Sequence, residues 1–196
     1  MNYILADHQS EIFYPHTLTR PISELRLGIL TIREKWMKYL KTDRVGYLTE
    51  NHLVGKFGRE LHNDNILIDS RVLPDSSLVK QISALLHNQA LVCDGVCVAI
   101  RVDGNELQEA GYPLSPGDRL NASTHVIQTT EKITRLNKLT ELFTRNGEFL
   151  QADFKLLTKG KKSAKVNDTN TVLGKQLFVK DSAKVNCSIL NTETGP

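Results

Sequence analysis

The residues best able to do chemistry are aspartates and arginines at the ends of apolar runs. Asp7 closes the run Asn2–Ala6, and Asp69 closes Ile66–Ile68 with Arg71 two places further on. Open α/β sheets gather their ligands beyond the carboxyl ends of strands, which is where both acids would stand. Arg20 precedes Pro21 at a predicted helix start, and Arg26 and Arg33 follow seven residues apart on one helical face. With Arg20 at the positive end of the helix dipole, the three can form an anion site. The plainer alternative makes Arg26 and Arg33 solvated arginines paired with Glu24, Glu34 or a neighbour, and Asp69 a strand-end turn residue.

Other reactive side chains carry weaker signals. His8, His16, His52, His62, His87 and His125 show no metal-ligand spacing with cysteine or an acid cluster. Cys93 and Cys97 bracket a predicted turn and read as small buried hydrophobes. Gly55-Lys56-Phe57-Gly58 lacks the approach and the Lys-Ser/Thr step of a phosphate-binding P-loop. Lys155, Lys159, Lys161, Lys162 and Lys165 read as a solvated linker.

The elements that would position these residues follow from apolar periodicity. Asn2–Ala6, 45–49 and 66–68 read as strands, the first and third as continuous apolar runs of the buried kind. Ile22, Leu25, Ile29, Ile32, Trp36 and Tyr39 recur at spacings of three and four, which predicts one helix from Pro21 through Gly28 to Tyr39. Leu78, Ile82, Leu85 and Leu86 give a second amphipathic helix, and Ile133 to Phe143 resumes helical spacing. Two apolar runs, 90–93 and 96–100, flank Asp94-Gly95 and predict a hairpin. Residues 101–131, with Gly111, Pro113, Pro116 and Gly117, read as loop-rich. Strands alternating with helices, then a hairpin, make an α/β layered unit. We expect it over 1–157, with a polar linker at 158–171 and a different pattern from 172 to 196.

That tail is periodic. Leu173, Val179 and Val185 recur every six residues, as do Leu177, Ala183 and Ile189. Hexapeptide periodicity predicts a parallel β-helix, in which three six-residue faces complete a coil, so 173–190 supply about one. The plainer alternative is a strand pair with a chance spacing. Solenoid coils need stacked neighbours, and the pattern is still running at Gly195-Pro196, so we expect the array to continue beyond them.

Composition sets the outer limits. The 196 residues are 40% hydrophobic and 24% charged, an ordinary globular balance that excludes collagen, coiled coil and a disordered tail. A net charge of +3 does not argue for nucleic acid. Three cysteines favour a reduced, cytoplasmic chain, and no apolar run approaches a membrane span, so neither nucleic acid nor membrane is an expected partner.

An α/β unit followed by hexapeptides resembles the bacterial bifunctional enzymes that form UDP-N-acetylglucosamine by uridylyl transfer and acetyl transfer. Leu18-Thr-Arg-Pro-Ile-Ser-Glu-Leu-Arg-Leu-Gly-Ile-Leu-Thr-Ile-Arg-Glu-Lys-Trp36 and Ile189-Leu-Asn-Thr-Glu-Thr-Gly-Pro196 are similar to an alternate, sugar-nucleotidyltransferase branch of that family, as are Phe143-Thr-Arg-Asn-Gly147 and Asp153-Phe154. The resemblance implies a Rossmann-like nucleotidyltransferase fold leading into a left-handed β-helix. It implies a nucleoside triphosphate (UTP or dTTP) and a hexose 1-phosphate as substrates, Mg²⁺ as cofactor, and a homotrimer for the longer protein. By position it assigns Arg20 a catalytic charge, Asp69 the metal and Arg71 a phosphate beside it; Asp7, at its strand end, and Arg26, on its helix face, are the further candidates for binding substrate. The family's glycine-rich loop after the first strand has no counterpart, since His8–Thr19 contains no glycine. The alternative is therefore a catalytically degenerate relative that binds a sugar nucleotide or orients a β-helix acyltransferase. Acetyl transfer itself does not reside here, because one coil forms no acyl-CoA site.

Overall fold

The computed structural model describes residues 1–109 and 115–195. Gly111 and Pro113 of the loop-rich stretch lie outside the described residues. The chain divides by packing into two units. Met1–Arg26 with Leu30–Phe143 forms the first, and Leu27–Ile29 with Thr144–Pro196 the second. The division falls ahead of the expected boundary at 157.

In the first unit, β1 (Asn2–Ala6), β2 (Gly46–Leu48) and β3 (Asp64–Asp69) are parallel neighbours, with β1 between the other two. β5 (Val96–Asp103) runs antiparallel to β3 and forms the predicted hairpin with β4 (Gln89–Cys93). β6 (His125–Gln128) adds in parallel to β4, giving the order β2-β1-β3-β5-β4-β6. Asp94 and Gly95 take φ values of 47° and 77°, the positive pair that a tight hairpin turn needs. Ile4, Leu5, Ala6, Ile66, Leu67 and Ile68 are all buried. Both faces of the central strands are thus covered, which is why these runs do not alternate.

The helical prediction after Pro21 is corrected. Ile22–Glu24 is a single 3-10 turn, and α1 occupies only Ile32–Leu40. Its start is fixed by a capping box: Thr31 Oγ1 accepts from the Glu34 N–H at 3.2 Å, and Glu34 Oε2 accepts from the Thr31 N–H at 2.7 Å. The three-and-four spacing runs across a break at Gly28, whose φ of +83° no helix contains. Trp36 on α1 is fully buried and donates from Nε1 to the Val72 carbonyl at 3.0 Å. α2 (Asn51–Phe57), α3 (Ser76–Ser83) and α4 (Gly104–Glu109) follow. The helical spacing read over Ile133–Phe143 is corrected too. Val72 bridges Arg135 as in a strand, Leu136 is buried, and helix begins only at α5 (Glu141–Thr144).

The second unit holds α6 (Asn146–Thr158) and the strands β7 (Thr171–Gly174) and β8 (Ile189–Thr192). β7 and β8 pair in parallel, with Thr171 opposite Ile189 and Gly174 opposite Thr192. Residues 27–29 dock on α6: the Gly28 N–H donates to Asn146 Oδ1 at 2.8 Å, and the Ile29 N–H to Asp153 Oδ2 at 2.9 Å. A Cβ on Gly28 would lie 2.7 Å from the Phe149 carbonyl oxygen. Gly28→Ala should therefore cost more than about 1 kcal/mol in a urea or thermal melt. Gly55→Ala, in a helix with nothing within 4 Å of the new methyl, should hold stability or raise it by up to about 1 kcal/mol.

Candidate functional site

The carboxyl ends of β1 and β3 meet a cleft of about 260 Å³ lined by His8, Gln9, Asp69, Arg71, Arg135 and Cys97, among others. Its floor is an ionic cluster. Asp69, only 2% exposed, receives Arg71 through two bonds, Nε to Oδ1 and Nη2 to Oδ2, each 3.2 Å. The Arg71 N–H adds a third at 2.9 Å, and Arg135 Nε reaches Oδ2 at 2.8 Å. Arg71 is itself 2% exposed and donates from Nη1 to Gln9 Oε1 at 2.8 Å. Burial pushes the Asp69 carboxyl up from its ordinary value, opposed by the nearby Arg135 and then by His8.

Two guanidiniums on one carboxylate leave an excess positive charge, and Arg135 is the one open to solvent, its side chain 23% exposed. Such a cluster, at low local dielectric and beside a histidine, suits the oxygens of a phosphate ester. The backbone supports it: Leu136 N donates to Arg71 O and Leu73 N to Thr134 O, each at 2.9 Å. Cys97 adds no nucleophile, since burial pushes its thiol up to about 12.

Asp7 sits one residue beyond β1 but outside the cleft lining. It is 1% exposed, and its Oδ2 accepts from the Ile22 N–H at 3.2 Å and from Thr49 Oγ1 at 2.7 Å. It thereby closes the 8–21 loop, which is further tied by Ser10 Oγ to Glu50 and by His52 Nε2 to the Leu18 carbonyl. Asp7 Oδ1 and Ser70 Oγ have no hydrogen-bond partner among the described residues, although the hydroxyl is near enough to favour the charged carboxylate.

Arg26 and Arg33, expected on one helix face with Arg20 at the helix start, do not share a helix. Arg20 is exposed at a bend before Pro21, and Arg26 is exposed in the segment that α1 does not include. Arg33 donates from Nε to Glu24 Oε1 at 2.6 Å and lies 5.1 Å over the Tyr47 ring, as the plainer alternative has it. Asp69 and Arg71 do meet, with each other and with Arg135. Sequence reasoning missed Arg135, which lies 66 residues from its partner inside a stretch read as helix. It also missed Gln9, whose position beside Arg71 no spacing signals.

The donors present do not fit a resident divalent cation at Asp69. Both carboxylate oxygens already accept from guanidinium nitrogens, and a cation there would face two positive charges. Among the described residues no group of three or more His, Cys, Asp or Glu stands together elsewhere.

The sequence matches a family model described as sugar nucleotidyl transferase over residues 3–162. No curated protein matches it. The match takes in every residue of the cleft and stops ahead of β7. No helix among the described residues is long and apolar enough to cross a membrane.

The pH dependence of stability follows from Asp7. Burial pushes its carboxyl from 3.8 up to about 6, so the folded state holds a proton that the unfolded chain has released between those values. Stability contributed by the protonated form is complete below about pH 4 and is lost as pH rises through about 6, a cost near 3 kcal/mol at neutral pH. Asp7→Asn keeps an oxygen for Ile22 and Thr49 and gives Ser70 a donor. It should melt higher than the parent at pH 8, by no more than about 3 kcal/mol, and lose that advantage by pH 4.

Proposed function

The chain belongs to the sugar nucleotidyl transferase family, and we propose that its first unit joins a hexose 1-phosphate to UTP or dTTP. In that reaction a phosphate oxygen of the sugar phosphate attacks the α-phosphorus. The α–β bridging bond breaks, and pyrophosphate leaves with the electron pair. One observation carries the assignment: the Asp69-anchored guanidinium pair at the carboxyl ends of β1 and β3. Arg135 and His8 bind phosphate oxygens, while Arg71 maintains the positive field from below. The work of this site is positioning and charge stabilisation, which is what phosphoryl transfer asks of a protein. With Asp69 committed, Mg²⁺ enters as part of the substrate, bound to the triphosphate.

A second reading is favoured by the same commitment of Asp69 and by the glycine-free loop at 8–19. In it the cleft binds a nucleotide sugar without turnover and serves the second unit. For that unit we propose the first coil of a left-handed β-helix, supported by the parallel stagger of eighteen residues between β7 and β8. An acyltransferase role in forming UDP-N-acetylglucosamine, in a trimer, extends the proposal.

The test is pyrophosphate release with Mg²⁺, crossing UTP and dTTP with glucose 1-phosphate and N-acetylglucosamine 1-phosphate. Release that requires both substrates is expected. Arg135→Ala should lower kcat/KM at least tenfold, about 1.4 kcal/mol of transition-state binding. Arg20→Ala, outside the cleft lining, should stay within about twofold. A folded protein that binds nucleotide sugar but releases nothing would establish the second reading instead.

A further inference from the structure

Gln9 is held in a conformation its residue type disfavours. Its φ of 55° and ψ of 47° are left-handed, a region that strains a non-glycine residue and persists only where surroundings impose it. Of the other described non-glycine residues with positive φ, Asn88 and Asp94 are types that tolerate it, Lys41 caps α1, and Cys187 lies in the second unit, outside the cleft lining. Gln9 precedes a 3-10 turn at Ser10–Phe13 yet gives that turn no side-chain cap. Its side chain is engaged instead with Arg71, in the cleft.

That engagement fixes the amide's polarity. A guanidinium has only donors, so the atom facing Arg71 Nη1 at 2.8 Å must be the carbonyl oxygen. What the exposed Gln9 has left is its NH₂ group, two donors on the same cleft as Arg135 and His8. We propose that Gln9 is a ligand-contacting residue that donates to the substrate's phosphate oxygens. The strained backbone sets the amide there, and Arg71 orients it. This assignment rests on the reading of the cleft as a phosphate site and adds a neutral donor to its cations.

Two variants test the contact, one that replaces the donor group with a negative oxygen and one that removes the side chain without adding charge. Gln9→Glu keeps an acceptor for Arg71 but replaces the donor group with a carboxylate oxygen. Titrating inorganic pyrophosphate calorimetrically into the full chain should show at least a tenfold loss of affinity in Gln9→Glu, with the melting temperature held. Gln9→Gly relieves the left-handed backbone and removes the amide. It also takes the acceptor from Arg71 Nη1, so it should melt somewhat lower than the parent while staying folded at the titration temperature, and it should bind more weakly; it carries the test if Gln9→Glu fails to fold. Wild-type affinity in either folded variant overturns the assignment of Gln9 alone. If the parent protein binds no pyrophosphate, the phosphate reading of the cleft falls and takes this assignment with it.

Discussion

The Asp69 carboxylate between Arg71 and Arg135 is the interaction on which the first unit's site depends. Taking charges out of water costs several kcal/mol each, and only complete pairing with good geometry offsets it. Here the geometry is complete. Asp69 accepts from two guanidiniums and a backbone N–H, and Arg71 is closed off by Gln9. Removing the acid would leave a guanidinium with 2% exposure unpaired, the kind of change that costs about 3–5 kcal/mol. The cluster also draws three separate stretches to one point: the end of β3, the loop after β1, and the segment at 134–136 that bonds back to residues 71 and 73. A site assembled from such distant pieces is as rigid as the ion pairs that join them.

The second buried acid is solved differently. Asp7 has neutral donors only, from Ile22 and Thr49, and the nearest charge acting on it is the repelling Glu50. Burial raises both carboxyls, and Asp7 stands in the folded protein at an energetic cost that, unlike that of Asp69, no guanidinium opposes. What it returns is closure of a loop that, having no glycine, cannot wrap a ligand with its backbone. Pinned at Asp7, Glu50 and His52, and filled by the buried Phe13, that loop is a fixed wall. On the proposed reading anion recognition therefore falls to side chains, with the positive charge of Arg135 and the donors of Gln9 in place of a backbone cradle.

How much of this was legible in the sequence depended on range. The central strands and the Asp94-Gly95 hairpin are local and were read correctly; Asp69 and Arg71 were placed side by side, but as metal and phosphate ligands rather than as partners of each other. The helix from Pro21 was not, because the apolar spacing continues through Gly28 while the backbone does not. The reason is non-local: Asn146 and Asp153, more than a hundred residues away, take up the N–H groups of residues 28 and 29. The capping box at Thr31 was the one local sign of the true start. Arg135 had no local sign at all, since an extended segment held by Val72 and Leu73 carries the same apolar spacing as a short helix. The arginines that periodicity did single out went elsewhere, Arg33 to Glu24 and Tyr47, because the helix that aligned them does not exist.

In the second unit β7 and β8 pair in parallel at a separation of eighteen residues, three times the six-residue spacing of the tail. Parallel strands eighteen residues apart are what three hexapeptides per step require, and β7 and β8 meet that condition. Yet the apolar columns are only partly covered: Ile189 is 74% exposed and Leu173 and Ala183 are exposed as well, while Leu177, Val179 and Val185 are half-buried. The step is held by polar rungs. Asn170 donates to the Val185 carbonyl at 2.8 Å and accepts from the Ser188 N–H at 3.0 Å, and Asn167 reaches Asn186. Side-chain amides pairing with the facing segment hold the stagger alongside that partial apolar cover. Apolar burial in a stacked architecture comes from neighbouring steps, so a period can be exact in sequence and in pairing while some of its apolar residues still face water.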